Sequence, residues 1–223
     1  MNAYSELYVN DAKKSLSQFF SYLIDECGIE PEMAWAHFKV SGYAERFEKG
    51  NPGVISGMSG IELARAVLSK TYGDDNEYSY MVKESESFYM TKPSPVYWAG
   101  WVLAEYQWYT GRRFSDIFEA VPLKEVIAMY SVYHEMDVSQ FFDEMDSRIE
   151  KAMSMREPKI KRIRENRGIS QSELAKMSGV KLRSIQMYEQ KNNDIDKAQG
   201  QTLYKLSRVL GCKIEDLLED PSQ

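Results

Sequence analysis

SQSELAKMSGVKLRSIQMYEQ, residues Ser170–Gln190, is the stretch whose reading decides the fold. Ser170 and Glu173 stand three apart just ahead of Leu174 and Ala175, the spacing of a capping box, in which each side chain satisfies the other residue's backbone N–H. A helix from Gln171 to Met177 starts there with Leu174 and Ala175 facing inward, and Gly179 permits the tight turn that follows. A further helix, from about Leu182 to Gln190, buries Ile185 and Tyr188 and presents Leu182, Arg183, Gln186 and Met187 to the outside.

Working outward, Ile160 to Asn166 reads as a short basic helix ended by Gly168. On the other side Leu203, Leu206, Val209 and Leu210 close a small core that Ile214, Leu217 and Leu218 seal. Pro158 suits the first turn of a new helix and not the middle of an old one. All four tryptophans and all nine phenylalanines precede it. These shifts divide the chain into residues 1–155 and residues 156–223. The charge divides at the same place. The whole chain is −6, but Arg156 to Gln223 carries 14 Lys+Arg against 10 Asp+Glu, while the first 155 residues carry 14 against 24. Between Arg156 and Lys191 the balance is 10 basic to 4 acidic. A cationic patch on an otherwise acidic chain suits phosphate binding by one domain; on charge alone, a solvated charged face fits as well.

The spacing over Ile160 to Leu218 resembles the Cro/CI-type helix-turn-helix family, also called the XRE family. The resemblance rests on Gln171 and Ala175, the Gly179-Val180 turn, Ile185, Glu189 and the Leu210-Gly211 step. It implies an all-α chain, an N-terminal helical domain followed by a five-helix Cro/CI-type helix-turn-helix domain. It also implies that the Leu182–Gln190 helix enters the major groove of double-stranded DNA. Carried over by position, Lys181, Leu182, Arg183, Gln186 and Met187 read base edges. Arg183 leads, because a guanidinium bonds both acceptors of a guanine edge. Gln171, Lys191 and Lys197 are the phosphate candidates, and Arg164 with Glu189 matches a family salt bridge between the first and third helices. Many relatives have a glycine shortly after that glutamate; here Gln190-Lys191-Asn192 follows, so Asn192 is expected to take the left-handed turn. The alternative is a helical module that only dimerises or binds protein.

The first 155 residues read as helices. From Ala12, the residues Leu16, Phe19, Phe20, Leu23, Ile24 and Cys27 recur at steps of three and four as far as Gly28. Pro31 opens a helix carrying Met33, Ala34, Trp35 and Phe38. Asn51-Pro52-Gly53 reads as a turn or loop, Ser59 and Glu62 form a second capping box, and Gly73 to Glu86 reads as a loop. Ser94-Pro95 starts an aromatic helix that stops at Gly111; two more helices begin near Pro122 and Val138. On the aromatic helix Trp98, Trp101, Val102, Glu105, Trp108 and Tyr109 form one stripe, with Tyr97 and Tyr106 outside it. Core packing, a partner-binding surface at Trp98, Trp101, Trp108 and Tyr109, and a ligand pocket all fit that pattern.

Catalytic signatures are missing. His134-Glu135 has no second histidine at zinc spacing, His37 and His134 stand apart, and Cys27 and Cys212 are distant, so neither a metal site nor a cofactor is expected. Gly53, Gly57 and Gly60 follow no strand, which argues against a phosphate-cradling loop. With scarce cysteine, no secretory pattern at the start and no long apolar run, the expectation is a cytoplasmic, non-enzymatic protein without a membrane span. The runs Gln186-Met187-Tyr188-Glu189-Gln190, Asp196-Lys197-Ala198 and Tyr97 to Tyr109 are similar to antitoxin-type regulators. That likeness implies a homodimeric autorepressor whose acidic domain binds a cognate toxin protein. A ligand-responsive repressor with a small-molecule pocket in the N-terminal domain is the alternative.

Overall fold

The computed structural model describes residues 2–72 and 94–219, and among them every regular element is a helix. The chain forms two compact units, Met1–Met153 and Ser154–Gln223.

In the first unit, α1 (Val9–Ser21) buries Ala12, Leu16, Phe19 and Phe20, as their spacing requires. Its continuation differs from an ideal helix. Tyr22–Glu26 widens into a π-helical turn in which the Cys27 N–H reaches the Tyr22 carbonyl at 3.0 Å, before Gly28 ends it at φ +70°. The helices α2 (Pro31–Val40), α3 (Tyr43–Glu48), α4 (Pro52–Ile55) and α5 (Gly60–Tyr72) follow. The Asn51-Pro52-Gly53 turn is thus the start of a short helix, since the Asn51 side chain caps the Gly53 N–H at 3.1 Å and Pro52 occupies the first helical position. Ser59 and Glu62 make both bonds of their capping box, at 2.7 and 3.2 Å. The loop expected at Gly73 to Glu86 lies outside the described residues.

The aromatic helix α6 (Pro95–Thr110) is capped by the Ser94 hydroxyl and ends at Gly111. Its buried residues are Val96, Ala99, Gly100, Val102, Leu103, Ala104, Tyr106 and Gln107, so of the expected stripe Val102 alone is buried and Tyr106, outside the stripe, is buried too; the helix packs on α1. A Cβ on Gly100 would stand 2.6 Å from the Ser17 Cα, so the two backbones meet where only glycine fits. That close approach leaves no depth for indoles, and Trp98, Trp101 and Trp108 are turned to the half-buried rim. Beyond α6 come α7 (Phe114–Ala120), α8 (Leu123–Ala128), α9 (Tyr130–Tyr133) and α10 (Val138–Met155). The helix α7 was not expected, although Phe114, Ile117, Phe118 and Val121 carry its period. Phe19, Phe38, Phe47, Phe114 and Phe118 meet in the core, with Phe19 and Phe38 ring centres 4.6 Å apart.

The second unit consists of α11 (Lys159–Asn166), α12 (Gln171–Ser178), α13 (Leu182–Glu189) and α14 (Gly200–Leu210). The fifth element is one turn, closed by the Leu217 N–H on the Ile214 carbonyl at 2.9 Å, and it suffices to seat Leu217 in the core. That core is Ile160, Leu174, Ile185, Ile195, Leu203, Leu206, Leu210 and Leu217, all aliphatic.

Candidate DNA interface

The helix α12 starts on a complete capping box: the Ser170 hydroxyl accepts from the Glu173 N–H at 3.1 Å and Glu173 accepts from the Ser170 N–H at 2.8 Å. These bonds hold the Glu173 carboxyl below the ordinary glutamate range. The box leaves the Gln171 and Ser172 N–H groups outside the hydrogen bonds among the described residues, at the positive end of the helix. Gly179 then turns at φ +68°, with open space where a side chain would sit, so a substitution there is strained without being crowded. Thus α12 and α13 form the helix-turn-helix pair.

Of the expected base readers, Lys181, Leu182 and Arg183 are exposed at the start of α13, while Gln186 and Met187 are half-buried one turn on. On this helix positions 182, 183, 186 and 187 share one side, bordered by the buried Ile185 and by Glu189, which lies two turns beyond Leu182 on nearly the same line. Leu182, at 37% exposure, is an apolar side chain left in solvent between two cations, which suits contact with a base edge.

The far end of α13 is bolted down. Glu189 and Arg164 are each 7% exposed and pair in bidentate fashion, Nε to Oε1 at 2.6 Å and Nη2 to Oε2 at 2.9 Å. Arg164 also donates to the Ile169 carbonyl at 2.8 Å and to Glu165 at 3.1 Å, so the guanidinium is well supplied with acceptors. Its hydrogen bond to Glu189 pushes the arginine further up, against the opposing cost of burial. One bond in this cluster had no signal in the sequence: the Gln171 side-chain amide donates to Glu189 Oε2 at 2.7 Å. Helices α11, α12 and α13 therefore meet on a single carboxylate. A primary amide has two N–H groups, so Gln171 keeps a second donor beside the free helix amides.

The segment after α13 departs from expectation. Lys191, not Asn192, takes the left-handed conformation, at φ 55°. The reason is capping: the Asn192 and Asn193 N–H groups both turn back to the Met187 carbonyl, at 2.9 and 3.1 Å, and only a reversal at position 191 allows it. The Lys191 ammonium donates to the Ser154 carbonyl at 3.1 Å, and exposed Lys197 pairs with Asp194 at 3.0 Å. Neither lies beside the α12 N-terminus in sequence, and both are engaged by neighbours within the second unit.

In the first unit the structure separates the four aromatic candidates. Trp98 and Trp101 line one open groove together with Tyr97, Tyr130 and His134. The Trp108 indole N–H is used internally, on the Tyr4 carbonyl at 2.8 Å, and Tyr109, 57% exposed, tilts onto Phe142. Among the described residues no group of three His, Cys, Asp or Glu side chains has metal-binding geometry, and no helix is long and apolar enough to cross a membrane.

The helix-turn-helix family model matches residues 160–217, from the start of α11 to the closing turn. No curated protein and no solved structure matches the chain.

Proposed function

We propose, from the helix-turn-helix family match over residues 160–217, that the chain is a DNA-binding transcription regulator of the Cro/CI type, a sequence-specific repressor that binds a palindromic operator as a homodimer. The observation that carries this reading is the orientation of α13: Lys181 and Arg183 stand free in solvent at one end while Glu189 anchors the other. A helix packed through Ile185 and tied at its far end by an internal carboxylate presents its first turn to the major groove with little freedom to roll. In this reading Lys181, Leu182, Arg183, Gln186 and Met187 touch bases. The α12 N-terminus holds a phosphate through backbone amides and the second Gln171 N–H, and Lys191 and Lys197 contribute charge. Selection of bound fragments from random duplexes tests it. The expected product is a pseudo-palindrome with half-sites about 34 Å apart, bound with affinity that falls steeply as salt rises. Absence of any enriched sequence would remove the reading.

The biological role we propose is antitoxin-type autorepression, the acidic unit binding a toxin partner through the rim of α6. Its support is the sequence likeness of residues 97–109 and 186–198 to antitoxin-type regulators. Coexpression with the neighbouring gene product checks it: rescue of growth with a stable complex is expected, and neither would sink it. One observation favours a second reading, a ligand-responsive repressor, namely the aromatic groove at Trp98 and Trp101.

A further inference from the structure

Five aromatic side chains converge on one open groove of about 380 Å³ in the first unit: Tyr97, Trp98 and Trp101 from α6, and Tyr130 and His134 from α9 and the residue after it. Their spacing explains the assembly. Positions 97, 98 and 101 lie on neighbouring lines of α6 and positions 130 and 134 are one turn apart, so the small-residue packing of α6 on α1 leaves these rings along the seam with α9. The rings brace each other: Tyr97 stacks beside Trp101 at 24° between planes, Trp98 meets Tyr130 edge to face at 5.8 Å, and Tyr130 stacks on His134 at 4.3 Å. Beneath them Trp98 rests edge to face on buried Phe141 at 5.5 Å, which fixes the floor.

We propose that this groove binds a small organic cation of the quaternary-ammonium class, held by ring faces. Two observations select that chemistry. First, the five described residues that line the groove include no acid and no lysine or arginine, so none of them forms an ion pair with a hydrated ammonium or replaces the hydrogen bonds of a guanidinium. A methylated ammonium has no such bonds to lose and is attracted to the negative faces of indole and phenol rings. Second, residues 1–155 carry ten more acidic than basic side chains, which raises the local concentration of any cation. The Lys13 ammonium, 4.7 Å from the Trp101 ring centre, is paired with Glu105 and so adds no net charge beside the groove. His134 is compatible, because its Nδ1 lies 2.7 Å from the Tyr130 carbonyl and its Nε2 faces Glu135 at 3.6 Å.

Choline is the probe, and its uncharged carbon isostere 3,3-dimethylbutan-1-ol is the control of equal shape, both added to the full chain at constant ionic strength. Indole N–H resonances report each tryptophan separately. Choline is expected to shift Trp98 and Trp101 saturably and to leave Trp35 unmoved, with the isostere bound about ten-fold more weakly. Trp98→Leu is expected to weaken choline about ten-fold, and Tyr130→Phe, which keeps the ring and loses only the hydroxyl, to retain it; melting curves of both variants confirm that the unit is folded. Equal affinity for choline and its isostere would make the groove a merely apolar cleft and overturn the proposal. So would a shift spread evenly over all four tryptophans, or none. Operator binding is measured separately, so failure here leaves the repressor reading standing, and failure there leaves this one.

Discussion

The helices α6 and α13 each present unusual side chains to the outside, and they are held in opposite ways. The helix α6 is fixed mainly by apolar shape, its Gly100 pressed on Ser17 of α1 and its flank on a core of phenylalanines, with polar ties such as Trp108 to the Tyr4 carbonyl and Tyr106 to Asp146 at its edges. The helix α13 has Ile185 as its buried apolar anchor, and its orientation is set by the Glu189 carboxylate, which ties it to Arg164 and Gln171. The difference follows from size. A unit of about 150 residues hides a large fraction of its surface and fixes a helix by shape, whereas one half that size has eight buried aliphatic residues and little ring area. In the smaller unit a buried polar cluster contributes orientation more than stability, because desolvation offsets most of what the ion pair gains.

The largest expected effect is therefore in the apolar unit. Phe38→Ala removes a ring that touches Phe19, Phe20, Trp35, Phe47 and Phe114, and should destabilise the first unit by about 4 kcal/mol. All four tryptophans lie in that unit, so their fluorescence during denaturant unfolding follows it alone. Simultaneous loss of the second unit's tyrosine signals at the same denaturant concentration would break the contrast between two separately held regions.

Next comes the polar bolt. Glu189→Ala leaves Arg164 buried with its principal partner gone, and should destabilise the second unit by about 3 kcal/mol. The double replacement Arg164→Met with Glu189→Leu removes both charges, and stability should return to within about 1 kcal/mol of the parent. DNA affinity should not return with it, because Gln171 then has no acceptor and α13 is free to roll. Recovery of both properties together would show that the bolt serves stability only.

The same contrast explains what was legible in the residues. The second unit was readable because local rules determine it: a reciprocal cap at Ser170 and Glu173, a glycine at 179, apolar residues at helical steps, and a family spacing that pairs Arg164 with Glu189. What escaped there was non-local. The Gln171 bond to Glu189 depends on how α12 crosses α13, and the reversal at Lys191 depends on two asparagine amides seeking one carbonyl. In the first unit the helix starts at Pro31, Ser59 and Ser94 were visible for the same local reasons. Which face of α6 is buried was not, because a stripe of tryptophans outweighs Ala99, Gly100 and Ala104 on any hydrophobic scale, while the space beside α1 admits only small side chains. The groove at Trp98 needed α9, whose four residues give too short a pattern to read.

Two substitutions on the side proposed to face DNA separate reading from positioning. Arg183→Ala should cost about 2 kcal/mol at one operator base pair and little on unrelated DNA, measured as affinity across a set of single-base operator variants. Gln171→Ala should weaken all duplexes alike, by about 1 kcal/mol, since it loses the proposed phosphate donor and one donor to Glu189. A sequence-selective loss for Gln171→Ala would place its side chain among the base readers and shift weight from the bolt to direct contact.

The smallest effect concerns a device that both units share. Glu62 and Glu173 each accept from the N–H of the serine that they face, and those bonds hold both carboxyls below their ordinary value of 4.5. Because the folded value is depressed, the stabilisation is present above the unfolded value and is lost as pH falls from there through the folded value. Both carboxyls are exposed, so the loss is small beside that of the bolt. The amide proton shifts of Ser59 and Ser170 measure it directly, each titrating with a midpoint below that of an unpaired glutamate. Glu173→Gln should abolish the titration at Ser170 and leave Ser59 unchanged. If Ser170 titrates at the ordinary glutamate value, the box is open in solution, and the start of α12, with its free amides, is less well ordered than the bolt at its side.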